Sequence, residues 1–105
     1  MTDKIDVFTA CGSPEEARNL ARHLVEVRVA ACVNVVPGAL SFFRWEGEIS
    51  ESPEWLLIIK TTRPRLDELK LELRRIHSYT VPEVVALPIV DGSDDYLNWI
   101  EREVS

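Results

Sequence analysis

The longest patterned stretch of the chain, residues 30–61, consists of two extended arms around a polar interruption. The first arm, residues 30–46, is rich in β-branched and aromatic side chains and is interrupted only by Pro37 and Gly38. The second arm contains the apolar run 55–59, which is typical of a central strand that is covered on both faces. The polar residues 47–53 predict the turn between them. The pattern therefore predicts a long β-hairpin whose first arm bends or bulges at the proline and glycine.

Three stretches with helical periodicity lie outside this hairpin. The first starts at Ser13, a good N-cap residue, and Glu16 three positions later predicts a capping box. The second is predicted to start at the cap Thr62, and the third at Ser93, which two acidic residues follow. Apolar residues mark one face of each helix: Ala17, Leu20, Ala21, Leu24 and Val25 in the first; Leu66, Leu69, Leu73 and Ile76 in the second; Leu97, Ile100 and Val104 in the third.

Two further strands complete the predicted order of elements. Residues 4–10 form the first strand, and residues 83–90 form the last long strand after a connector at 78–82. The order β-α-β-β-α-β predicts an α+β, ferredoxin-like sandwich with a long bent central hairpin and an extra C-terminal helix. We expect residues 1–105 to form a single domain. The helices should pack on one face of the sheet and leave the other face uncovered.

The far end of the first hairpin arm carries three aromatic residues, Phe42, Phe43 and Trp45. A fully extended arm of this length would reach on the order of 50 Å, which is more than a small domain can cover. The rings could stack on a ligand, but packing against a second copy of the chain is the favoured interpretation. The uncovered sheet face is a second reason to expect assembly.

Composition and charge exclude several classes of partner. The chain has 105 residues, 46% of them hydrophobic, which is enough for one core. Its net charge of −6 argues against nucleic acid and anionic membranes, since both require a basic surface. Two cysteines are too few for a disulfide scaffold. The sequence shows neither a signal peptide nor an apolar run long enough to span a bilayer, so we expect a cytoplasmic protein.

The candidate reactive residues are Cys11, Cys32, His77 and Glu83. The sequence has no glycine-rich phosphate loop, no H-E-x-x-H and no C-x-x-C. In the predicted fold the last strand runs antiparallel beside the first. Glu83, which opens the last strand, should therefore lie near Cys11 at the end of the first strand, and His77 approaches from the same edge. A thiolate with an imidazole suits Cu(I) or Zn(II). We expect Cys32, which lies in an apolar strand, to be the more buried thiol and the weaker ligand.

Each of these candidates also has a purely structural interpretation. Cysteine is often a small buried hydrophobe, and His77 can neutralise the C-terminus of a helix. Lys60 and Glu83 could form an internal ion pair, or Lys60 could bind an anion. The acidic run Glu46, Glu48, Glu51 and Glu54 is typical of a solvated turn, with weak divalent-cation binding as the alternative.

Several sequence blocks, in one order along nearly the whole chain, closely resemble the CutA divalent-cation tolerance family. They are AACVN at 30–34, VPG at 36–38, RWEG at 44–47, IKT at 59–61, HSYTVPE at 77–83, ALPI at 86–89 and YLNW at 96–99. The resemblance implies a small ferredoxin-like subunit that forms a very stable homotrimer. It also implies a link to copper and other divalent metals, with thiols and a histidine as the ligands, at the positions of Cys11, Cys32 and His77.

One departure from the family pattern falls in the connector. Ser78 and Thr80 stand where the family usually has a proline and an acidic or amide residue. A polar pocket at this place would therefore lack the carboxylate or amide group that the family pattern supplies. The first functional hypothesis is a metal-binding trimer that responds to copper or another divalent metal ion. The alternative is a trimeric module, similar to PII-like regulators, that binds a small ligand or a protein partner between subunits. We do not expect an enzyme.

Overall fold

The computed structural model describes residues 2–105, and its elements follow the predicted order. The strands and helices are β1 Lys4–Cys11, α1 Pro14–Glu26, β2 Cys32–Trp45, β3 Glu48–Thr62, α2 Leu66–Ile76, β4 Val85–Pro88 and α3 Asp94–Val104. The last strand is shorter than the predicted 83–90. No helix within these residues is long and apolar enough to cross a membrane.

The four strands form one antiparallel sheet in the order β2-β3-β1-β4. This order confirms the ferredoxin-like prediction, and it confirms that the second hairpin arm is a central strand. β1 pairs with β3 over its whole length, but it pairs with β4 only from Ile5 to Phe8. The end of β1, from Thr9 to Cys11, therefore lies beyond β4, and this free edge is where the connector before β4 packs.

The hairpin turn is much tighter than the predicted 47–53. Trp45 pairs with Glu48, so only Glu46 and Gly47 form the turn, and both have positive φ angles, 50° and 81°. Two consecutive residues of this kind form a type I′ turn, whose twist matches that of the strands. The residues interpreted as a turn therefore extend β3 instead. Their polarity reflects solvent exposure along a projecting hairpin.

The turn leads to a stability prediction for Gly47. Its φ of 81° is accessible to glycine and, at some cost, to asparagine, but it is unfavourable for alanine. We expect Gly47→Ala to lower the free energy of unfolding by about 1 kcal/mol, and Gly47→Asn by clearly less. Urea unfolding of the three proteins at one concentration measures both. Equal stability of the alanine and asparagine variants would contradict the left-handed conformation at this position.

A bulge in β2 confirms the predicted interruption. The pairing shifts between Val36 and Ala39, so Pro37 and Gly38 fall in the bulge, and Gly38 has a φ of 89°. The hairpin then continues past the helices, and the molecule reaches 45 Å along its longest axis. One face of this projecting part carries Leu40, Phe42 and Ile49, which are 56%, 64% and 71% exposed. We call these three residues the hairpin patch.

The core lies between the sheet and the first two helices. Alternate residues of β1 and β3 point towards α1 and α2 and are fully buried, as the strand period of two requires. The buried side chains of this cluster are Ile5, Val7, Cys11, Ala17, Leu20, Leu24, Val29, Ala30, Leu57, Ile59, Leu69 and Leu73. Cys11 is therefore a core residue on the helix-covered face of the sheet.

The helix starts agree with the sequence in two of three cases. The Ser13 hydroxyl accepts from the Glu16 N–H at 3.1 Å, and Ser93 accepts from the Tyr96 N–H at 3.3 Å. The capping box is incomplete, however, because the Glu16 carboxylate accepts hydrogen bonds from Ser78 instead. Thr62 does not cap α2, since a short 3₁₀ turn, Arg63–Arg65, intervenes and Thr62 forms no side-chain cap bond.

The second face of the sheet is only partly uncovered. Ile100 and Val104 of α3 are buried with Ala31, and Lys4 reaches Glu101 of the same helix at 2.9 Å. α3 therefore covers the end of this face near the start of β1. The rest of the face, towards the hairpin, remains open, and it includes the exposed side chains of Val85 and Leu87.

Candidate functional site

His77 is the residue that closes the free edge of β1. It follows α2 directly, and its side chain is 0% exposed. Its Nε2 lies 2.8 Å from the carbonyl oxygen of Ala10, and its Nδ1 lies 3.0 Å from the backbone N–H of Tyr79. A carbonyl can only accept and an N–H can only donate, so the ring is the neutral tautomer with its proton on Nε2. Both ring nitrogens are engaged.

Cys11 ends β1 next to this contact. Its Sγ donates a weak hydrogen bond to the carbonyl oxygen of Ser13 at 3.6 Å. Burial raises the pKa of the Cys11 thiol; the bond to Ser13 opposes this, and the nearby carboxylates of Glu16 and Glu54 raise the pKa further. The thiol is therefore protonated at neutral pH and needs a metal ion, or another cation, to become a thiolate.

Glu16 connects the first helix to the connector. Its carboxylate accepts from the Ser78 N–H at 2.9 Å and from the Ser78 hydroxyl at 2.8 Å, and it lies 3.6 Å from Nδ1 of His77. Ser78, one of the two departures from the family pattern, thus binds a carboxylate that α1 supplies. Through these bonds Glu16 holds the connector against the end of β1.

Glu54 is the least expected member of the site. The sequence pattern favours a solvated acidic turn at this position, but Glu54 lies in β3 and is only 8% exposed. The Tyr79 hydroxyl donates to its Oε2 at 2.7 Å. Burial and this bond raise the pKa of Tyr79 well above its ordinary value, so the phenol stays neutral and remains a donor. The Tyr79 ring packs against His77, with centroids 4.8 Å apart.

A cleft of about 690 Å³ lies on the open face of the sheet beside this cluster. The hairpin forms one wall, with Phe43 and Trp45, and the connector forms the other, with Tyr79. Two carboxylates, Glu54 and Glu83, also line it. The remaining lining residues include the hydroxyl-bearing side chains Ser41, Ser52, Ser78 and Thr80; within residues 2–105, no lysine, arginine or histidine lines the cleft.

Cys32 lies apart from the cluster around Cys11. It pairs with Lys60 at the start of β2, and its side chain is on the sheet face that α3 partly covers. The expectation that Cys32 is the more buried thiol is wrong, because Cys11 is fully buried and Cys32 is partly exposed. Burial and a hydrogen bond with Cys32 raise the pKa of Tyr96. One buried oxygen of Asp6, Oδ1, lies on the same face and has no hydrogen-bond partner among the described residues.

The other predicted residues are also at separate places. Glu83 lies two residues before the pair Phe8–Val85, so it is at the free edge of β1, and it is exposed on the rim of the cleft. Lys60 is not beside it, because its ammonium group donates to Asn34 and its strand partner is Asp6. Within residues 2–105, no three His, Cys, Asp or Glu side chains converge as a ready-made metal cage.

Glu16, Glu54 and Tyr79 were not predicted as site residues. Glu16 was assigned to a capping box, which is a local role, and nothing local indicates that its carboxylate reaches a residue 62 positions away. The signal for Glu54 was available: it directly precedes an apolar run, and an acidic residue in a central strand is unusual. The predicted turn at 47–53 is too long, so Glu54 is placed next to a turn instead of inside β3.

The sheet order, the two helices on one face and the third at its end place this chain among the small ferredoxin-like α+β proteins. It belongs to the CutA1 divalent ion tolerance family, whose model matches residues 5–103. The Divalent-cation tolerance protein CutA of Thermus thermophilus is 52% identical over 96 residues, which are 91% of this chain and 93% of that protein. The chloroplastic Protein CutA of Arabidopsis thaliana is 44% identical over 98 residues, 93% of this chain, but the chain spans only 54% of its length.

Solved structures agree with this assignment. The divalent cation tolerance protein (Cut A1) of Thermus thermophilus superposes with a TM-score of 0.94 at 46% identity, and it covers 97% of this chain and 99% of that one. CutA from Xylella fastidiosa has a TM-score of 0.96 at 36% identity, with 99% and 100% covered. The fold class and the family suggested by the sequence blocks are both confirmed.

Proposed function

We propose that this chain acts in divalent-cation tolerance as a homotrimer that binds copper or another divalent metal ion at the end of β1. The observation that carries the proposal is the position of His77, whose ring lies 2.8 Å from the residue before Cys11. A thiol, an imidazole and the Glu16 carboxylate are thus gathered around one strand end. The names of the family and of its relatives link such proteins to tolerance of divalent ions.

Metal binding here requires two local changes. Cys11 must lose its proton, and Nδ1 of His77 must exchange the Tyr79 N–H for the metal ion. A lost backbone hydrogen bond costs about 1 kcal/mol, which is small beside the affinity of a thiolate–imidazole pair for a soft ion. Glu16 and Glu54 favour the step, because their charges attract a cation. Glu83, on the rim, supplies a carboxylate at the entrance.

The same chemistry predicts a pH dependence. Burial and neighbouring carboxylates raise the pKa of Cys11, so the thiol keeps its proton through neutral pH. One proton is then released for each metal ion bound, and the apparent affinity for Cu(I) should rise about tenfold per pH unit. Competition with a chromogenic Cu(I) chelator between pH 6 and 8 measures this slope. An affinity that does not change with pH would contradict ligation by a protonated thiol.

A matched pair of cysteine variants tests the assignment of the ligands. Cys11→Ser and His77→Gln should each weaken Cu(I) binding by at least about tenfold. Cys32→Ser is the control, because Cys32 lies on the other face of the sheet and should leave the affinity unchanged. If Cys32→Ser lost Cu(I) binding while Cys11→Ser kept it, the metal site would lie at Cys32 on the other face of the sheet, and the proposal would be overturned.

The proposed homotrimer is supported by the hairpin patch. Leu40, Phe42 and Ile49 are more than half exposed on one face of a hairpin that extends beyond the helices. A group of large apolar side chains in this position marks a protein–protein contact. β2 is also an edge strand with unpaired backbone groups, which a neighbouring chain can pair with and thereby protect from aggregation. The number of three follows from the family resemblance.

A further inference from the structure

A second cavity lies on the helix side of the sheet, away from the open face that the proposed homotrimer needs for contact between copies. Its volume is about 530 Å³, and it lies between α1 and the end of α2. Leu20 and Ile76 form its apolar wall, and both also pack in the core cluster that contains Cys11. The cavity is therefore on the same side of the sheet as the Cys11 side chain.

The Glu16 carboxylate lies between this cavity and the proposed metal ligands. It lines the cavity and is 20% exposed, whereas the His77 side chain behind it is 0% exposed. Its Oε2 lies 3.6 Å from Nδ1 of His77, the ring nitrogen proposed to bind the metal ion, since Nε2 faces the Ala10 carbonyl. Ser78 holds the carboxylate in this position: its hydroxyl donates to Oε1 at 2.8 Å and its N–H to Oε2 at 2.9 Å. We call the pair Glu16–Ser78 the gate.

The polar lining of the cavity favours a cation. Glu16, Asn19 and His23 follow one another along one side of α1, at the spacing of successive helical turns, and they supply a carboxylate, an amide and an imidazole. Within residues 2–105, no lysine or arginine lines the cavity. We propose that the cavity is the entrance to the metal centre of the proposed function, on which this assignment rests, and that the gate closes it.

Opening the gate requires only a local change. Ser78 is exposed and lies between α2 and β4, outside regular secondary structure, so it can move without disturbing the core. When Ser78 moves away, the Glu16 carboxylate exchanges two hydrogen bonds for the charge of an entering cation and remains paired. Nδ1 of His77 and the Cys11 thiol then face the cavity. Glu16 is thus a positioning residue, and the gate determines the rate of metal uptake.

Reaction of the Cys11 thiol with methyl methanethiosulfonate tests the entrance without any metal ion. In a Cys32→Ser background Cys11 is the one remaining thiol. Its thiolate attacks the sulfenyl sulfur, forms a methyl disulfide and releases methanesulfinate, so mass spectrometry of quenched samples of the assembled protein gives the rate. Asn19→Trp fills the cavity from an exposed position and should slow the reaction about tenfold. Ser78→Ala removes one bond of the gate and should accelerate it about fivefold.

Two control variants match these substitutions. Glu15→Trp places the same ring at an exposed position of α1 that does not line the cavity, so it should react like the Cys32→Ser parent. Ser78→Thr keeps the hydroxyl and should also react like the parent. Urea unfolding of the same proteins separates gate opening from global unfolding. If the gain in rate for Ser78→Ala were matched by an equal loss in global stability, the gate would be overturned.

Copper uptake connects the entrance to the metal centre. Asn19→Trp should slow the transfer of Cu(I) from a chromogenic chelator about tenfold but leave the Kd unchanged, because it alters no proposed ligand. If Asn19→Trp reacted with the thiol reagent and took up Cu(I) as fast as the parent, the thiol would be reached from elsewhere and the entrance would be overturned. Absence of Cu(I) binding in the unmodified protein would instead overturn the proposed function, while the thiol reaction would still decide whether the cavity leads to Cys11.

Discussion

Phe42→Asp should separate the assembled protein into single chains. Phe42 is at the centre of the hairpin patch and is 64% exposed in the isolated chain, so the substitution leaves the fold of each chain largely unaffected. At a contact between chains, however, it would bury an unpaired carboxylate, which costs several kcal/mol (about 3–5) for each copy. Light scattering coupled to size exclusion should show the mass falling from three times 12.0 kDa to that of one chain.

Two controls separate assembly from folding. Phe42→Leu keeps an apolar side chain and should remain assembled. Asp67→Lys changes the charge of a fully exposed residue of α2, away from the hairpin, so it should leave the mass unchanged. If Phe42→Asp kept the full mass, the hairpin patch would not be the contact. A single-chain mass for the unmodified protein at micromolar concentration would contradict the homotrimer itself.

His77→Ala should be the most destabilising single substitution in the site. The side chain is 0% exposed, and its removal leaves a cavity, an unpaired Ala10 carbonyl and an unpaired Tyr79 N–H. We expect a loss of about 3 kcal/mol in the free energy of unfolding, or roughly 15 °C in Tm. Thermal and urea unfolding at a fixed protein concentration measure both values.

The second histidine provides the matched control. His23 is partly exposed and contacts Glu72 at 3.0 Å on the outer surface of α1 and α2. His23→Ala should therefore cost less than about 1 kcal/mol. Similar losses for the two variants would mean that His77 does not hold the connector to β1 as described.

The fold was predictable because its signals are local. Ser13 and Ser93 cap their helices through their own first turns, and the strand order follows from two βαβ units that share a hairpin. The hairpin turn was missed because Glu46 carries its own positive φ, a conformation that a sequence of polar residues does not reveal. At Thr62 the predicted cap is replaced by the 3₁₀ turn Arg63–Arg65, and Thr62 forms no side-chain cap bond.

The site was only partly predictable because its contacts connect distant segments. His77 could be placed near Cys11 from topology, and it is bonded to the adjacent residue. The hydrogen bonds that determine its protonation come from Ala10 and Tyr79, and neither was predictable from spacing. Cys32 was ranked by the apolarity of its strand, but burial depends on which face of the sheet a residue occupies. One face is covered by α1 and α2, and the other, which carries Cys32, is covered only in part, by α3.

Native mass spectrometry of the protein with equimolar Cu(I) tests the central claim most directly, because it measures assembly and metal content together. The predicted spectrum shows three chains of 12.0 kDa with one copper ion per chain. The Cys11→Ser protein should appear as the same three-chain species without copper. A copper-free spectrum of the unmodified protein, or a Cys11→Ser protein that retains its copper, would contradict a metal centre at the end of β1.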